Sequence, residues 1–111
     1  MSNLYEGQYI VNSFYAVKAD TGTVVEADET GMISLSEGDK IVFKSIYSDE
    51  YVPVNTLVIF AGSDPVKVQL NNNSTYPFYV EAGSKRGVKN MMIHSFTALA
   101  DCTLYYEGIV C

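Results

Sequence analysis

The stretch TLVIFAGSDPVKVQL, residues 56–70, decides the fold class of this chain. In VKVQL (66–70) the first, third and fifth residues are apolar and the other two are polar, which is the period of a half-buried strand. TLVIFA (56–61) is apolar on both faces, which is typical of a central strand covered on each side or covered on its outer face by a partner. The GSDP segment between them is a turn sequence. Because this connection is too short for a parallel crossover, the stretch predicts antiparallel strands.

Short predicted strands separated by turns continue along the rest of the chain. Turn signals recur roughly every eight to thirteen residues, a spacing that a sandwich or barrel of short strands produces. The predicted strands are 8–18, 23–27, 32–35, 40–47, 54–61, 65–70, 76–81 and 88–96, with a ninth at 102–110. We therefore expect an all-β fold of about eight short strands whose successive members form antiparallel hairpins. An antiparallel β-sandwich is the predicted architecture, and a jelly roll is one form of it.

Two segments suggest contact with another chain. QYIVNSFYAVKA (8–19) is apolar on both sides of the predicted strand. Pro77 cannot donate a hydrogen bond to a central ladder, so the segment that contains it is predicted to be a sheet edge or a bulge. An exposed edge offers unpaired backbone groups to a neighbouring molecule.

Composition indicates one domain with some of its surface covered. The 111 residues, 1–111, fit a single core, with residues 1–8 as a candidate N-terminal arm. Hydrophobic residues make up 48% of the chain and charged residues 18%, against roughly 25% charged residues in soluble domains. Nine Tyr, five Phe and no Trp are present. Since Tyr suits both strand faces and subunit contacts, this composition favours an assembled protein.

Charge and hydropathy exclude several classes of partner. The net charge of −6 disfavours nucleic-acid binding, which needs clustered cations. Lys85, Arg86 and Lys89 are the local exception, and three charges at a turn indicate a solvated tip. The N-terminal residues lack the pattern of a secretory signal, and no apolar run approaches the ~20 residues of a membrane helix. We expect no membrane partner, and we expect reduced cysteines.

Few side chains are suited to catalysis or to binding a metal. His94 is the single histidine, whereas nucleophilic catalysis usually needs a base oriented by a third group, and a metal site with two or three His ligands needs more imidazoles than the chain has. Along one strand, Cys102 and Cys111 would lie ~30 Å apart, too far for a disulfide. The motif GSKRG (83–87) lacks the phosphate-loop frame and is predicted to be a hairpin turn. We expect no enzyme activity, no catalytic residue, no cofactor and no metal.

Acidic residues leave one alternative open. Glu26, Asp28 and Glu29 form one cluster, and Asp49 and Glu50 form another. Neither has the alternating carboxylates and glycine of a calcium loop. A surface cation site shared between chains remains an alternative to simple solvated turns.

The sequence of the second half of the chain also resembles that of known proteins. VKVQLNNNSTYPFYVEAGSKRGVKNMMIHSFTALADCTLYYEGIV (66–110) resembles small β-rich virion proteins of tailed bacteriophages, such as head decoration and neck or tail accessory proteins. The features that carry the resemblance are the strand ending in an Asn-rich turn, FYVEAG before a loop, IHSF, and the closing LYYEG. The resemblance implies a non-enzymatic structural role in a virion assembled in a bacterial cytoplasm. Such families bind through whole surfaces, so it assigns no single residue.

The expected partners are further copies of this chain and other virion proteins, bound mainly through strands 8–18 and 102–110. The candidate interface residues are Tyr9, Val11, Tyr15, Val17, Tyr79, Tyr105, Ile109 and Val110. The alternative function is a carbohydrate- or cell-surface-binding module, in which tyrosine rings stack on a surface glycan. Its candidate residues are Tyr5, Tyr9, Tyr47, Tyr51, Tyr76 and Tyr79.

Overall fold

The computed structural model of this chain describes residues 14–72 and 77–110, and these residues form nine β-strands and no helix. The strands are β1 (Phe14–Lys18), β2 (Ile33–Leu35), β3 (Lys40–Ser45), β4 (Val54–Ala61), β5 (Val66–Leu70), β6 (Phe78–Val80), β7 (Lys85–Val88), β8 (Ser95–Ala98) and β9 (Cys102–Val110). A five-stranded sheet has the order β1-β3-β8-β5-β6, and a four-stranded sheet has the order β2-β9-β4-β7. All of these pairings are antiparallel. The predicted all-β antiparallel class is confirmed.

The pairings of β2 to β9 are nested one inside another. β2 pairs with β9, β3 with β8, β4 with β7, and β5 with β6. This chain is therefore one folded-over ribbon, which the pairings of β4 with β9 and of β5 with β8 roll into two sheets. A ribbon rolled in this way is a jelly roll, and β1 extends it beside β3. The predicted sandwich thus has its jelly-roll form.

Alternating side chains fill the space between the sheets. In β5, the three apolar residues that the sequence pattern places on one face are buried. Phe43 is fully buried, and its ring centroid lies 5.1 Å from that of Phe14, 6.0 Å from that of Phe96 and 6.1 Å from that of Tyr106. Burying one such side chain contributes about 1.5–3 kcal/mol to folding. This aromatic cluster holds β1 and β3 against β9.

The predicted strand at 23–27 is wrong. Within it, only an isolated bridge from Val24 to Val17 forms. The N–H of Val25 donates to the carbonyl of Ala16, so the segment lies along the outer edge of β1. From there the chain passes to the other sheet to begin β2, and it leaves the ladder too soon to form a strand.

The strand predicted at 88–96 is also wrong, as is the prediction that GSKRG (83–87) is only a turn. β7 includes the Lys-Arg-Gly part of that motif because β4 supplies a ladder for it. Asn90 has a φ of 61°, in the left-handed region, and it stops the strand. Ile93 then exchanges backbone hydrogen bonds of 2.8 and 2.9 Å with Val54 in an isolated bridge.

The prediction that successive strands form hairpins holds only for β5 and β6 among the described strands. The GSDP loop (62–65) carries the chain from β4 in one sheet to β5 in the other. At its start, the N–H of Gly62 extends the pairing with β9 by donating to the carbonyl of Thr103. TLVIFA does form a central strand, since β4 lies between β9 and β7. Pro77 is exposed and comes directly before β6, an edge strand. Its predicted edge position is confirmed.

Candidate functional site

The interior of the sandwich is filled by apolar side chains. Among the described residues, Ser95 is the only polar or charged residue that is buried. Depressions on the described surface hold about 160 to 250 Å³ each. Sites for small molecules typically hold roughly 300–1,000 Å³. These depressions of the described surface are therefore smaller than a typical small-molecule site.

Titratable groups in the described part of the chain do not converge on one point, and no three His, Cys, Asp or Glu residues there are placed to share a metal ion. His94 is exposed in the loop before β8, not on a strand as predicted, and its backbone N–H donates to Asn71 Oδ1 at 2.7 Å. Cys102 is a free, buried thiol, and burial raises its pKa.

The first acidic cluster also has a structural role. Asp28 Oδ1 accepts hydrogen bonds from the backbone N–H and the hydroxyl of Thr30, at 2.8 and 2.6 Å, and from the backbone N–H of Met32 at 3.1 Å. These bonds to Thr30 and Met32 hold the pKa of the Asp28 carboxyl below its usual value. The Asp28 carboxylate therefore closes the loop before β2.

The two ends of the sandwich differ in chemistry. One end, here called the acidic end, is formed by the loops 36–39, 62–65, 81–84 and 99–101. Hydrogen bonds join these loops in two pairs: the N–H of Glu37 donates to Asp101 Oδ1 at 2.8 Å, and the N–H of Gly83 donates to the carbonyl of Gly62 at 2.8 Å. The carboxylates at this end are those of Glu37, Asp39, Asp64, Glu81 and Asp101.

The opposite end, here called the apolar end, is formed by the loops 46–53 and 89–94 and by Ile109 near the close of β9. Five of the seven large apolar side chains that are exposed in the described chain lie there. Their exposed fractions are 52% for Ile46, 80% for Tyr47, 62% for Tyr51, 57% for Met92 and 39% for Ile109. Exposed large apolar side chains are thus concentrated at one end of the sandwich.

Hydrogen bonds hold the 46–53 loop of the apolar end in position. The hydroxyl of Tyr15 on β1 donates to Asp49, and this bond raises the pKa of Tyr15. The N–H of Val52 donates to the carbonyl of Phe43 at 2.9 Å. The Lys44 ammonium lies 5.1 Å from the centre of the Tyr51 ring. The apolar side chains of this loop are therefore presented by an ordered backbone.

Backbone hydrogen bonds also bring the other parts of the apolar end together. Val54 follows the 46–53 loop, bridges to Ile93 in the 89–94 loop and pairs with Val110 on β9. Asn71 fixes the 89–94 loop further, because its Nδ2 donates to the carbonyl of Met92 at 3.0 Å. The two loops and the close of β9 thus meet at one surface.

Sequence reasoning missed Ile46 and Met92 as members of this surface. Each belonged to a predicted strand, 40–47 or 88–96, but in the structure each lies in a loop beside a strand. An available signal was the apolar run Met91-Met92-Ile93 before the polar pair His94-Ser95, which interrupts strict alternation.

The predicted interface residues of the five-stranded sheet do not form one surface. Tyr15 is half-buried on β1 and Tyr79 is 47% exposed on β6, at opposite edges of the sheet. Four strand spacings of ~4.8 Å place them roughly 19 Å apart. Val17 is 1% exposed beside the bridging residue Val24. It offers no surface to a partner, and the prediction is wrong for this residue.

The remaining predicted interface residues belong to the other sheet or lie outside the described residues. On β9, Tyr105 is half-buried against Phe60, with ring centroids 5.4 Å apart, and Ile109 is exposed. The side chain of Val110, all of Tyr9 and Val11, and the candidate arm 1–8 lie outside the described structure. Among the described residues of the predicted interface, Ile109 is the one that belongs to the apolar end.

The candidate glycan-binding tyrosines divide in a similar way. Tyr47 and Tyr51 are strongly exposed on one loop, while Tyr79 lies on β6. Tyr5, Tyr9 and Tyr76 lie outside the described residues, as does Cys111.

Charged side chains lie along two of the four sheet edges, β6 and β7. Arg86 stacks over Phe78 on β6, 4.6 Å from the ring centre, and donates through Nη1 to the carbonyl of Tyr79 at 3.2 Å. Lys85 and Arg86 lie on β7 itself, an edge strand, rather than at the solvated tip that was predicted. Charged side chains on an edge disfavour the addition of a further strand.

The described residues contain no helix of the length and hydropathy that crossing a membrane requires. No protein-family model matches this chain, and no curated protein matches it. Among solved structures, the chain is similar to a cupin superfamily protein from Desulfitobacterium hafniense, determined at 1.60 Å. The alignment covers 91% of this chain and 81% of that chain, with 8% sequence identity and a TM-score of 0.46. A likeness of that size carries no argument about what this chain binds or does.

Proposed function

We propose that this chain is a non-enzymatic structural subunit of a bacteriophage virion, a capsid decoration protein or a head, neck or tail accessory protein, and that it acts through protein–protein contacts. The observation that carries the proposal is the gathering of exposed Ile46, Tyr47, Tyr51, Met92 and Ile109 at one end of the sandwich. Apolar groups held at the surface by an ordered backbone gain free energy when a partner covers them.

Three further features support a role in assembly. The interior is filled, which favours function at the surface. Arg86 covers the edge strands β6 and β7, which disfavours the addition of a further strand at these two edges. Jelly rolls form many viral capsid domains and also lectins and cupins, so the fold is compatible with the proposal without selecting it.

The test follows the chain into particles. A tagged copy is produced in the bacterial host during phage growth, and the particles are purified on a density gradient. We expect the natural chain to be incorporated stoichiometrically. The double variant Tyr47→Ser/Met92→Ser should be incorporated at least about tenfold less. Tyr79→Ser is the matched control, because Tyr79 is an exposed tyrosine 47% accessible outside the apolar end. Absence of the natural chain from particles would refute the proposal.

A carbohydrate-binding function is the second candidate, and one observation favours it. Tyr47 and Tyr51 lie on one loop with exposed fractions of 80% and 62%, and Asp49 and Glu50 lie between them. Aromatic faces beside carboxylates suit the apolar face and the hydroxyls of a sugar ring. A glycan array tests it: saturable binding that is lost in Tyr47→Ser and kept in Tyr79→Ser would rank this function first, and no binding would exclude it.

A further inference from the structure

The outer face of the four-stranded sheet is apolar along its middle. Val58 and Phe60 on β4 are half-buried, and the ring centroid of Phe60 lies 5.4 Å from that of Tyr105 on β9. Gly87 on β7 pairs with Val58, and a depression of about 210 Å³ lies beside this glycine. β4 is therefore apolar on its outer face as well as on its inner one, which is typical of a strand that a partner covers.

The charges of this face are divided between its two sides. Within the four strands, the charged residues are Glu107 on β9 and Lys85 and Arg86 on β7. Lys89 follows β7 and borders the depression. Arg86 is directed away from this face, since its guanidinium stacks on β6 of the other sheet. The β9 side of the face is thus acidic, and the β7 side is basic.

Contacts within the chain hold these charged groups on the outer face. The Lys85 ammonium lies 5.6 Å from the centre of the Phe60 ring, and the hydroxyl of Tyr105 donates to Glu107 Oε2 at 3.0 Å. The loop 25–31 borders a second depression together with Tyr105, so the carboxylates of this loop also lie on the β9 side.

The strand register fixes how far along the face each charge lies. Val58 pairs with Glu107 on one side and with Gly87 on the other, so these three residues form one row across the sheet. Lys85 and Lys89 lie two residues before and two residues after Gly87. The acidic side chain is therefore level with the middle of the gap between the two basic ones.

We propose that two copies of this chain pack the outer faces of their four-stranded sheets together, about a two-fold axis that runs along β4. Such an axis exchanges the two sides of the face and keeps each row at its level. Glu107 of each copy then lies over Gly87 of the other copy, between Lys85 and Lys89, and the contact occurs twice. The apolar middle is removed from water, and each carboxylate meets two ammonium groups.

The positions of the charges select this axis over the other one that face-to-face packing allows. A two-fold axis across the strands would reverse the order of the rows, so Glu107 would meet Glu107 and Lys85 would meet Lys89, and like charges disfavour both contacts. An axis along β4 brings the two acidic ends to the same side of the pair. Their carboxylates lie in loops beyond the strands, where solvent and salt screen them.

Sedimentation of the purified full chain, at concentrations up to the millimolar range, measures this contact. We expect a mass near twice that of the 12.2 kDa chain. Glu107→Lys and the double variant Lys85→Glu/Lys89→Glu each place like charges together, so each should raise the dimer Kd at least about tenfold. None of these side chains is buried, so circular dichroism should show an unchanged fold. Two matched controls, Lys67→Glu and Glu50→Lys, change exposed charges elsewhere and should leave the Kd unchanged.

Mixing the two charge variants tests the contact between copies directly. The new base of a Glu107→Lys copy meets the two new acids of a Lys85→Glu/Lys89→Glu copy, and at the second contact the unchanged groups meet as in the wild type. Both variants keep a net negative charge, because the first exchange raises the value of −6 by two charges and the second lowers it by four. Local pairing alone therefore favours association. We expect the mixture to form a heterodimer at least about tenfold more tightly than either variant pairs with itself.

Several results overturn the proposal. A wild-type chain that stays monomeric does so, and if Glu107→Lys then reduces incorporation into particles, the face belongs to another particle protein instead. A dimer whose Kd is unchanged in both charge variants uses a different surface. A mixture that associates no better than the separate variants refutes the axis along β4. A monomeric chain that is present in particles refutes this contact and leaves the proposed function standing, whereas a dimer that is absent from particles refutes the function alone.

Discussion

Gly108 gives the sharpest test of the packing between the two sheets. It lies on β9, where an added Cβ would come 2.7 Å from the backbone carbonyl oxygen of Thr56 and 3.0 Å from Phe14 Cζ. Thr56 follows an irregularity in the ladder between Val54 and Thr56, which places this carbonyl against β9. Phe14 is buried in the aromatic cluster, so neither neighbour can move away freely.

The cost of Gly108→Ala follows from these distances. Adding atoms to a tightly packed core costs about 1–3 kcal/mol, and a backbone obstacle favours the upper half of that range. Losing a glycine reduces the entropy of the unfolded chain and returns about 0.4–1 kcal/mol. We therefore expect the variant to lose about 1–2 kcal/mol of unfolding free energy. For a domain of this size, that loss corresponds to a Tm lower by roughly 4–15 °C.

Urea unfolding followed by circular dichroism measures this loss. Gly87→Ala on β7 is the matched control, because its added Cβ would meet a side-chain methyl, Val58 Cγ2 at 3.1 Å, and its nearest backbone atom would be 3.6 Å away. Neither glycine has a φ in the left-handed region, so alanine is allowed at both positions. We expect Gly87→Ala to stay within about 0.5 kcal/mol of wild type. Equal urea midpoints for the two variants would contradict this account of β9 packing.

Three further predictions concern an edge, a buried phenol and a buried thiol. Arg86→Ala removes the stacking on Phe78 and a hydrogen bond to the edge of β6, so the unfolding free energy should fall by about 1 kcal/mol; an unchanged urea midpoint would contradict the capping role. Burial raises the pKa of Tyr106 to about 12, against about 10 in the unfolded chain. The stabilisation that comes from keeping the Tyr106 phenol neutral in the fold is therefore complete below pH ~10 and is lost as the pH rises toward ~12. Over this pH range the urea midpoint of Tyr106→Phe should fall less steeply with pH than that of the wild type. Equal slopes for the two proteins would refute this prediction. In a Cys111→Ser variant, burial of Cys102 should slow thiol labelling at least about tenfold relative to the unfolded chain, and equal rates would be the contrary result.

Local alternation could be predicted from the sequence because it depends on which face of a strand each residue occupies. VKVQL (66–70) forms β5 with its apolar residues buried, and TLVIFA falls within the central strand β4. The pattern states only whether a side chain faces inward, and it does not state which strand lies beside it. The hairpin predicted for 56–70 is therefore a crossover between sheets in the structure.

Tertiary contacts override local preference at two other places. KRGV, the sequence of β7, has little intrinsic preference for a strand, yet β4 supplies the ladder that makes it one. The segment 23–27 contains a valine pair, yet it must pass from one sheet to the other and forms a single bridge. In both cases the neighbour across the ladder decides the outcome, and no local window contains that neighbour.

The apolar end could not be predicted for the same reason, and its origin explains why the predicted interface was dispersed. Ile46, Met92 and Ile109 are far apart in the chain, and no local pattern places them beside one another. They meet because the nested pairing places the β3–β4 connection, the β7–β8 connection and the close of β9 at one end of the sandwich. Tyr15 and Tyr105, by contrast, belong to strands with strong apolar patterns that lie in opposite sheets. A contact surface in a rolled ribbon is thus assembled by the order of pairing, and pairing is the information that a single sequence lacks.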